Sequence, residues 1–125
     1  MTNLLLDTHV VVWWTIASTR VRSAWVELIA SPENRVYVSA ATVWEIETKN
    51  RSGKLDFGFD VLDLLGEYDF EPLAISPEDA AAAGSLDWEH RDPFDRMLVA
   101  QARRREYALV SADDAVRGAP GIRVL

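Results

Sequence analysis

Leu4-Leu5-Leu6-Asp7-Thr8-His9 sets three consecutive apolar residues against an acid, a hydroxyl and an imidazole. A short run that is apolar at every position reads as a strand buried on both faces, as the central strand of a parallel sheet must be. The change to polar residues at Asp7 ends that strand, and a helix follows over Thr8 to about Ile16. Outward from this unit the same alternation continues. The spacing predicts a second helix from about Val21 to Ala30, a turn at Ser31-Pro32-Glu33-Asn34 and a strand over Arg35-Val36-Tyr37-Val38. A helix from about Ala40 to Arg51 comes next, stopped by Gly53. Asp60 to Tyr68 reads as a helix, and Phe70 to Ile75 as a strand at a sheet edge, because Pro72 has no N–H for a ladder. Pro77 suits the first turn of an alanine-rich helix ending near Gly84. A loop carrying Trp88, His90 and Arg91 leads into Asp92-Pro93, which opens a helix to about Glu106. A strand over Ala108 to Ser111, a short helix over Ala112 to Arg117 and a strand over Ile122 to Leu125 complete the pattern. The alternation implies one α/β domain over residues 1–125, with a largely parallel sheet and helices on both faces.

The composition fits such a domain. The 125 residues are 49% apolar and 26% charged, without a cysteine, so disulfides, thiolate metal sites and cysteine nucleophiles are excluded. The N-terminal residues lack the positive start of a secretory signal, and the apolar run Val10 to Trp14 is too short to span a bilayer. A cytoplasmic protein is expected. The formal net charge of −7 argues against a generic nucleic-acid binder, whose affinity for phosphates comes mainly from Lys and Arg. It does not exclude a nuclease whose acids gather around metal, and it suits a protein held by a basic partner.

Ligands of open parallel sheets bind at the carboxyl ends of the strands, near the point where strand order reverses. Asp7 follows the first strand, Asp113 follows the strand ending near Ser111, and Asp95 lies in the first turn of a helix that starts at the same edge. Glu45 lies about five residues into its helix, roughly 7–8 Å below the rim at ~1.5 Å per residue. Helical side chains lean towards the N-terminus, so a long Glu reaches back where an Asp would not. Four carboxylates in one pocket repel one another, and a hard divalent cation relieves that repulsion. Oxygen ligands without His or Cys favour Mg²⁺ or Mn²⁺ over zinc, and such ions suit hydrolysis of a phosphodiester. No Ser-His-Asp or Cys-His nucleophile and no GxxxxGK[ST] loop competes.

Structural alternatives stand beside each residue. Asp7 and Asp95 can serve helix starts, Asp92 is an N-cap, and Glu45 can close a capping box with Thr42. A box between Ser111 and Asp114 accounts for Asp114 and leaves Asp113 unexplained. Trp13, Trp14 and Trp44 suit core or subunit contacts better than base stacking. His9 and His90 read as polar surface residues, and Arg103-Arg104-Arg105 as charge complementing a helix end. Arg91 and Arg96, nearer the proposed site, are candidates for contact with a substrate phosphate. Lys49, Arg51 and Lys54 could extend a backbone-binding track. Two serines, in Val38-Ser39-Ala40 and Val110-Ser111-Ala112, sit where strands give way to helices, as caps do.

Taken in order, several segments resemble the PIN domain, specifically the VapC-like toxin ribonucleases of toxin–antitoxin systems. They are Leu4-Leu5-Leu6-Asp7-Thr8-His9, Val38-Ser39-Ala40-Ala41-Thr42-Val43-Trp44-Glu45-Ile46 and Gly53-Lys54-Leu55. His90-Arg91-Asp92-Pro93-Phe94-Asp95-Arg96-Met97-Leu98-Val99-Ala100-Gln101-Ala102 and Leu109-Val110-Ser111-Ala112-Asp113 continue the likeness over nearly the whole chain. The resemblance implies a three-layer α/β/α sandwich with a five-stranded, mainly parallel sheet, and metal-dependent endonucleolytic cleavage of RNA with Mg²⁺, or Mn²⁺ in its place. It maps an acidic quartet onto Asp7, Glu45, Asp95 and Asp113, with the hydroxyls of Thr8 and Ser39 beside the metal. Asp7 and Asp95 would be direct ligands, and Asp113 a ligand directly or through water. Glu45 would serve a second ion or position the attacking water. It further implies a homodimer silenced by a cognate antitoxin. The alternatives are a PIN-type nuclease outside such a pair, a non-catalytic interaction module of the same fold, or a phosphoacceptor domain, for which the acceptor set is missing.

Overall fold

A computed structural model describes residues 1–125. The elements run β1 (Asn3–Leu6), α1 (Thr8–Thr15), α2 (Ser23–Ala30), β2 (Arg35–Ser39), α3 (Ala40–Arg51) and α4 (Val61–Glu67). They continue with β3 (Glu71–Leu73), α5 (Pro77–Ser85), α6 (Pro93–Arg105), β4 (Ala108–Val110), α7 (Asp114–Arg117) and β5 (Arg123–Val124). All five strands are parallel, in the order β3-β2-β1-β4-β5. Strand order therefore reverses between β1 and β4, and β3 with Pro72 lies at an edge.

β1 is central because each of its apolar residues has somewhere to go. Leu4 and Leu6 pack with Val10, Ile29, Val36, Val38, Ile46 and Leu64, under α1 to α4. Leu5 faces the other way, onto Leu98, Val99, Ala102, Leu109 and Val116 of α6, β4 and α7. The alternation of side chains along a strand thus splits three leucines between two helical layers, giving an α/β/α sandwich. Truncating Leu5, which is fully buried, would cost on the order of 2–5 kcal/mol.

α5 packs on α6, and a charged network joins them. Asp79 is fully buried in the capping box of α5 with Ser76, and it accepts hydrogen bonds from Arg104, Arg105 and Gln101. Burial alone would raise its pKa, but Arg105, the Ser76 amide, Gln101 and Arg104 outweigh that and hold it well below the usual carboxylate range. Arg104 and Arg105 thus serve this network, beyond complementing a helix end.

Two local devices shape the site's surroundings. α3 ends at a turn in which Gly53 adopts φ +79°, a left-handed value that favours glycine. The chain then doubles back, with the Leu55 amide donating to the Lys49 carbonyl (3.1 Å) and the Phe57 amide to Asn50 Oδ1 (2.9 Å). α6 begins at Asp92, whose Oδ1 accepts from the amides of Phe94 (2.9 Å) and Asp95 (3.0 Å), with Pro93 in the first turn. α7 begins later than the sequence pattern suggests, at Asp114 rather than Ala112, because Asp113 caps it through the Ala115 amide (2.9 Å).

Candidate active site

The reversal between β1 and β4 brings Asp7 and Ser111 out of the sheet together. Leu6 is in register with Val110, and the Asp7 amide still donates to the Val110 carbonyl (3.0 Å). Ser111 Oγ then donates to Asp7 Oδ2 at 2.6 Å and accepts from the Asp113 amide at 3.1 Å. One serine therefore ties the first proposed acid to the loop that carries the last. Asp7 is 3% exposed and Glu45, reaching back from α3, is 4% exposed.

Asp7 lies near enough to Glu45 to feel its charge, and Asp95 near enough to Asp7. The Asp95 pKa is pushed up to about 6, first by burial and further by the charges of Asp92 and Asp7, against the hydrogen bond from His90. Asp7 is also pushed up, mainly by burial, with Glu45 adding; the Ser111 hydrogen bond and His9 oppose it. Lys49 sits opposite them. Its Nζ hydrogen-bonds Glu45 Oε2 one turn away, which raises the lysine's pKa, and the charges of Asp92 and Asp95 act in the same sense.

Each acid of the quartet has one oxygen engaged by the chain itself: Asp7 by Ser111, Glu45 by Lys49, Asp95 by His90 (2.7 Å) and Asp113 by the Ala115 amide. No three acids or histidines stand in a ready ligating array. Asp7 and Asp95 nonetheless fit a hard divalent ion by chemistry: they are oxygen donors, desolvated, and destabilised by neighbouring negative charge. Asp113 reaches the same rim through Ser111, but it lies outside the charge-coupled group and caps α7.

Several residues are placed otherwise than expected. Ser39 is fully buried; its hydroxyl accepts from the Ala41 amide as the cap of α3 and donates to Gln101 Oε1 (2.6 Å), so it is spent on structure rather than on a metal. Thr42 pairs its hydroxyl with that of Thr8 (3.1 Å), so no capping box forms between Thr42 and Glu45. Arg96 is a correction too. Its guanidinium donates to four backbone carbonyls, those of Ala83 (3.0 Å), Trp88 (2.7 Å), His90 (3.1 Å) and Leu86 (2.9 Å). It staples the loop before α6 instead of waiting for a phosphate. Arg91 is exposed, in a groove with Trp44 and Phe94.

Sequence reasoning missed three partners: Ser111 on Asp7, Lys49 on Glu45 and His90 on Asp95. The His90 ring stacks on Trp88, with centroids 4.6 Å apart. Only the i, i+4 spacing of Glu45 and Lys49 carried a local signal for such a pair.

Beside the acids opens a cleft of about 260 Å³, lined by Thr8, His9, Val12, Glu45, Lys49, Lys54 and Leu55. Its flank is basic while the neighbouring rim is acidic.

The PIN domain model matches residues 4–121 of the chain. The chain is 28% identical over 120 residues to Ribonuclease VapC22 of Mycobacterium tuberculosis, covering 94% of this chain and 92% of that protein. Its fold is similar to that in the crystal structure of VapBC2 from Rickettsia felis bound to a promoter DNA fragment (TM-score 0.72, 15% identity, 99% and 98% of the two chains). It is also similar to DNA-bound VapBC from Salmonella typhimurium (TM-score 0.70, 20% identity, 100% and 98% covered). With the matching model extending from β1 to the turn before β5, the chain belongs to the PIN domain family.

Proposed function

We propose that this protein is the toxin of a toxin–antitoxin pair, an endoribonuclease that hydrolyses RNA phosphodiester bonds with Mg²⁺, for which Mn²⁺ can substitute. The single observation that carries the reading is the crowding of Asp7, Glu45 and Asp95 at the strand-order reversal, with Asp95 pushed up to about 6. The likeness to a ribonuclease named VapC22 and to VapBC complexes supports the toxin role and the antitoxin partner.

Bound at the acids, the ion would supply charge that polarises the phosphodiester and lowers the pKa of a water. Asp7 and Asp95 would hold it, each oriented by a partner, Ser111 and His90. Asp113 completes the rim, and Thr8 lies beside Asp7 in the buried floor. Glu45, fixed by Lys49, orients the water whose oxygen forms the new bond to phosphorus as the bond to the departing ribose oxygen breaks. No helix is long and apolar enough to cross a membrane, and the protein acts on RNA in the cytoplasm. A homodimer forms through the apolar face around Trp44.

The test is cleavage of total RNA by the purified chain with Mg²⁺, with Mn²⁺ and with EDTA. Cleavage is expected with either metal and is abolished by EDTA and by Asp7→Asn. A wild-type chain that is folded, binds metal and leaves RNA intact would defeat the nuclease reading. Relief of growth arrest by a co-expressed antitoxin separates the toxin from a nuclease with another role.

A further inference from the structure

The basic cleft beside the acids is not explained by metal binding. Seven side chains line it: Lys49 and Lys54 are cationic, His9 is an imidazole, and the one acid, Glu45, is paired with Lys49, which leaves Lys54 as the unmatched charge. Lys49 is held by Glu45 at the boundary between cleft and acids. Lys54 is exposed and takes part in no ion pair, although the chain has 20 acidic side chains against 13 Lys and Arg. Its ammonium is open to an external anion, and the cleft places it beside the acids.

The placement of Lys54 is built rather than incidental. Gly53, at φ +79°, turns the chain back on itself. The Leu55 amide then clamps to the Lys49 carbonyl at 3.1 Å, and the Phe57 amide to Asn50 Oδ1 at 2.9 Å. Phe57 is buried in the core, and Leu55 packs against it. Both neighbours of the loop are thus anchored, and Lys54 is presented next to Lys49. An anchored backbone loses less entropy when Lys54 captures an anion than a free loop would.

We propose that this cleft binds a backbone phosphate of the RNA strand flanking the scissile bond, with Lys54 as its principal ligand and Lys49 linking it to the acidic centre. The proposal rests on the ribonuclease reading and deepens it, since it gives the substrate an entry side. An unbranched polyanion is the occupant because the cations lie directly beside the acids. Its scissile phosphate is met by metal and acids while the neighbouring phosphate meets the lysines. An isolated anion such as a nucleotide would engage only one half.

The experiment compares Lys54→Met with Arg123→Met, which removes the same charge from the exposed start of β5 outside the cleft. Steady-state cleavage of a labelled 12-nucleotide RNA with Mg²⁺ is measured across a range of KCl, and anisotropy of the same RNA is measured in EDTA, where no cleavage is needed. Lys54→Met is expected to raise KM several-fold with kcat within about two-fold. It should also flatten the log–log salt dependence of binding by about 0.7, the share of one phosphate contact on a single strand. Arg123→Met should change both by much less. If the wild type cleaves and Lys54→Met behaves like wild type or like Arg123→Met, the cleft proposal is overturned while the nuclease reading stands. If the wild type binds RNA through Lys54 but never cleaves, the cleft stands and the nuclease reading fails. Neither binding nor cleavage overturns both.

Discussion

At the scale of the residue, Asp95 shows what crowding costs. Burial and neighbouring charge push its pKa up to about 6, above the ordinary aspartate value of 3.8. Between those values the folded chain keeps a proton that the unfolded chain has released. Stability therefore falls as pH rises through that window and stays at the lower level above 6. A shift of about two units corresponds to a cost on the order of 3 kcal/mol at neutral pH. Asp95→Asn removes the charge at nearly constant shape. Without metal, this variant should melt several degrees above the wild type at neutral pH, with the gap closing as pH approaches the ordinary aspartate value; calorimetry over that range checks it. Its cleavage activity should be lost. Adding Mg²⁺ should raise the wild-type Tm in a saturable way, as a ligand of the folded state does. That rise should shrink below pH 6, where protons compete, and be absent in Asp95→Asn. A variant no more stable than wild type without metal would refute this electrostatic account.

At the scale of the element, α6 is where structure and chemistry share residues. Asp92 caps it, Pro93 sets its first turn, Asp95 faces the site, and Arg96 holds the preceding loop by four carbonyls. A lysine has one ammonium where arginine has a planar fork, so Arg96→Lys leaves most of those carbonyls without a donor. The expected cost is on the order of 2–3 kcal/mol, read as a lower urea midpoint at unchanged m. The loop should also open to trypsin after Arg91, and activity should drop because His90 loses its fixed carbonyl; a urea midpoint equal to wild type would count against the staple. Asp92-Pro93-Phe94-Asp95 was legible in the sequence because helix initiation is local chemistry. The roles of the serines were not. Val38-Ser39-Ala40 and Val110-Ser111-Ala112 look alike, yet Ser39 spends its proton on Gln101 and Ser111 on Asp7. Those partners lie 62 and 104 residues away, so strand order and not local sequence decides which serine serves the site.

At the scale of the whole molecule, a largely parallel sheet with helices on both faces followed from periodicity, because a strand apolar at every position has to be covered twice, and the resemblance to PIN domains implied its five strands. Pro72 pointed correctly to the edge. The charged tie from Asp79 to Arg104 and Arg105 was invisible, since α5 and α6 meet only once the sheet is wound. Periodicity also left open which apolar side chains the fold keeps out of its core. Trp44 is 61% exposed, one residue from Glu45, and its ring meets Phe94 edge-on with centroids 4.9 Å apart. Ile75, Met97 and Ala83 extend this surface into a shallow apolar groove. A large aromatic left in water beside such a groove suits burial against a second copy, because a twofold contact lets each copy's projecting ring enter the other's groove. Light scattering coupled to size exclusion should find a dimer for the wild type and a monomer for Trp44→Glu, which places a charge at the centre of the contact. The Trp44→Glu monomer should keep the wild-type far-UV circular dichroism, since this side chain contributes little to the monomer's core. A wild-type monomer at tens of micromolar would refute the dimer, and a dimer untouched by Trp44→Glu would move the contact elsewhere on the molecule.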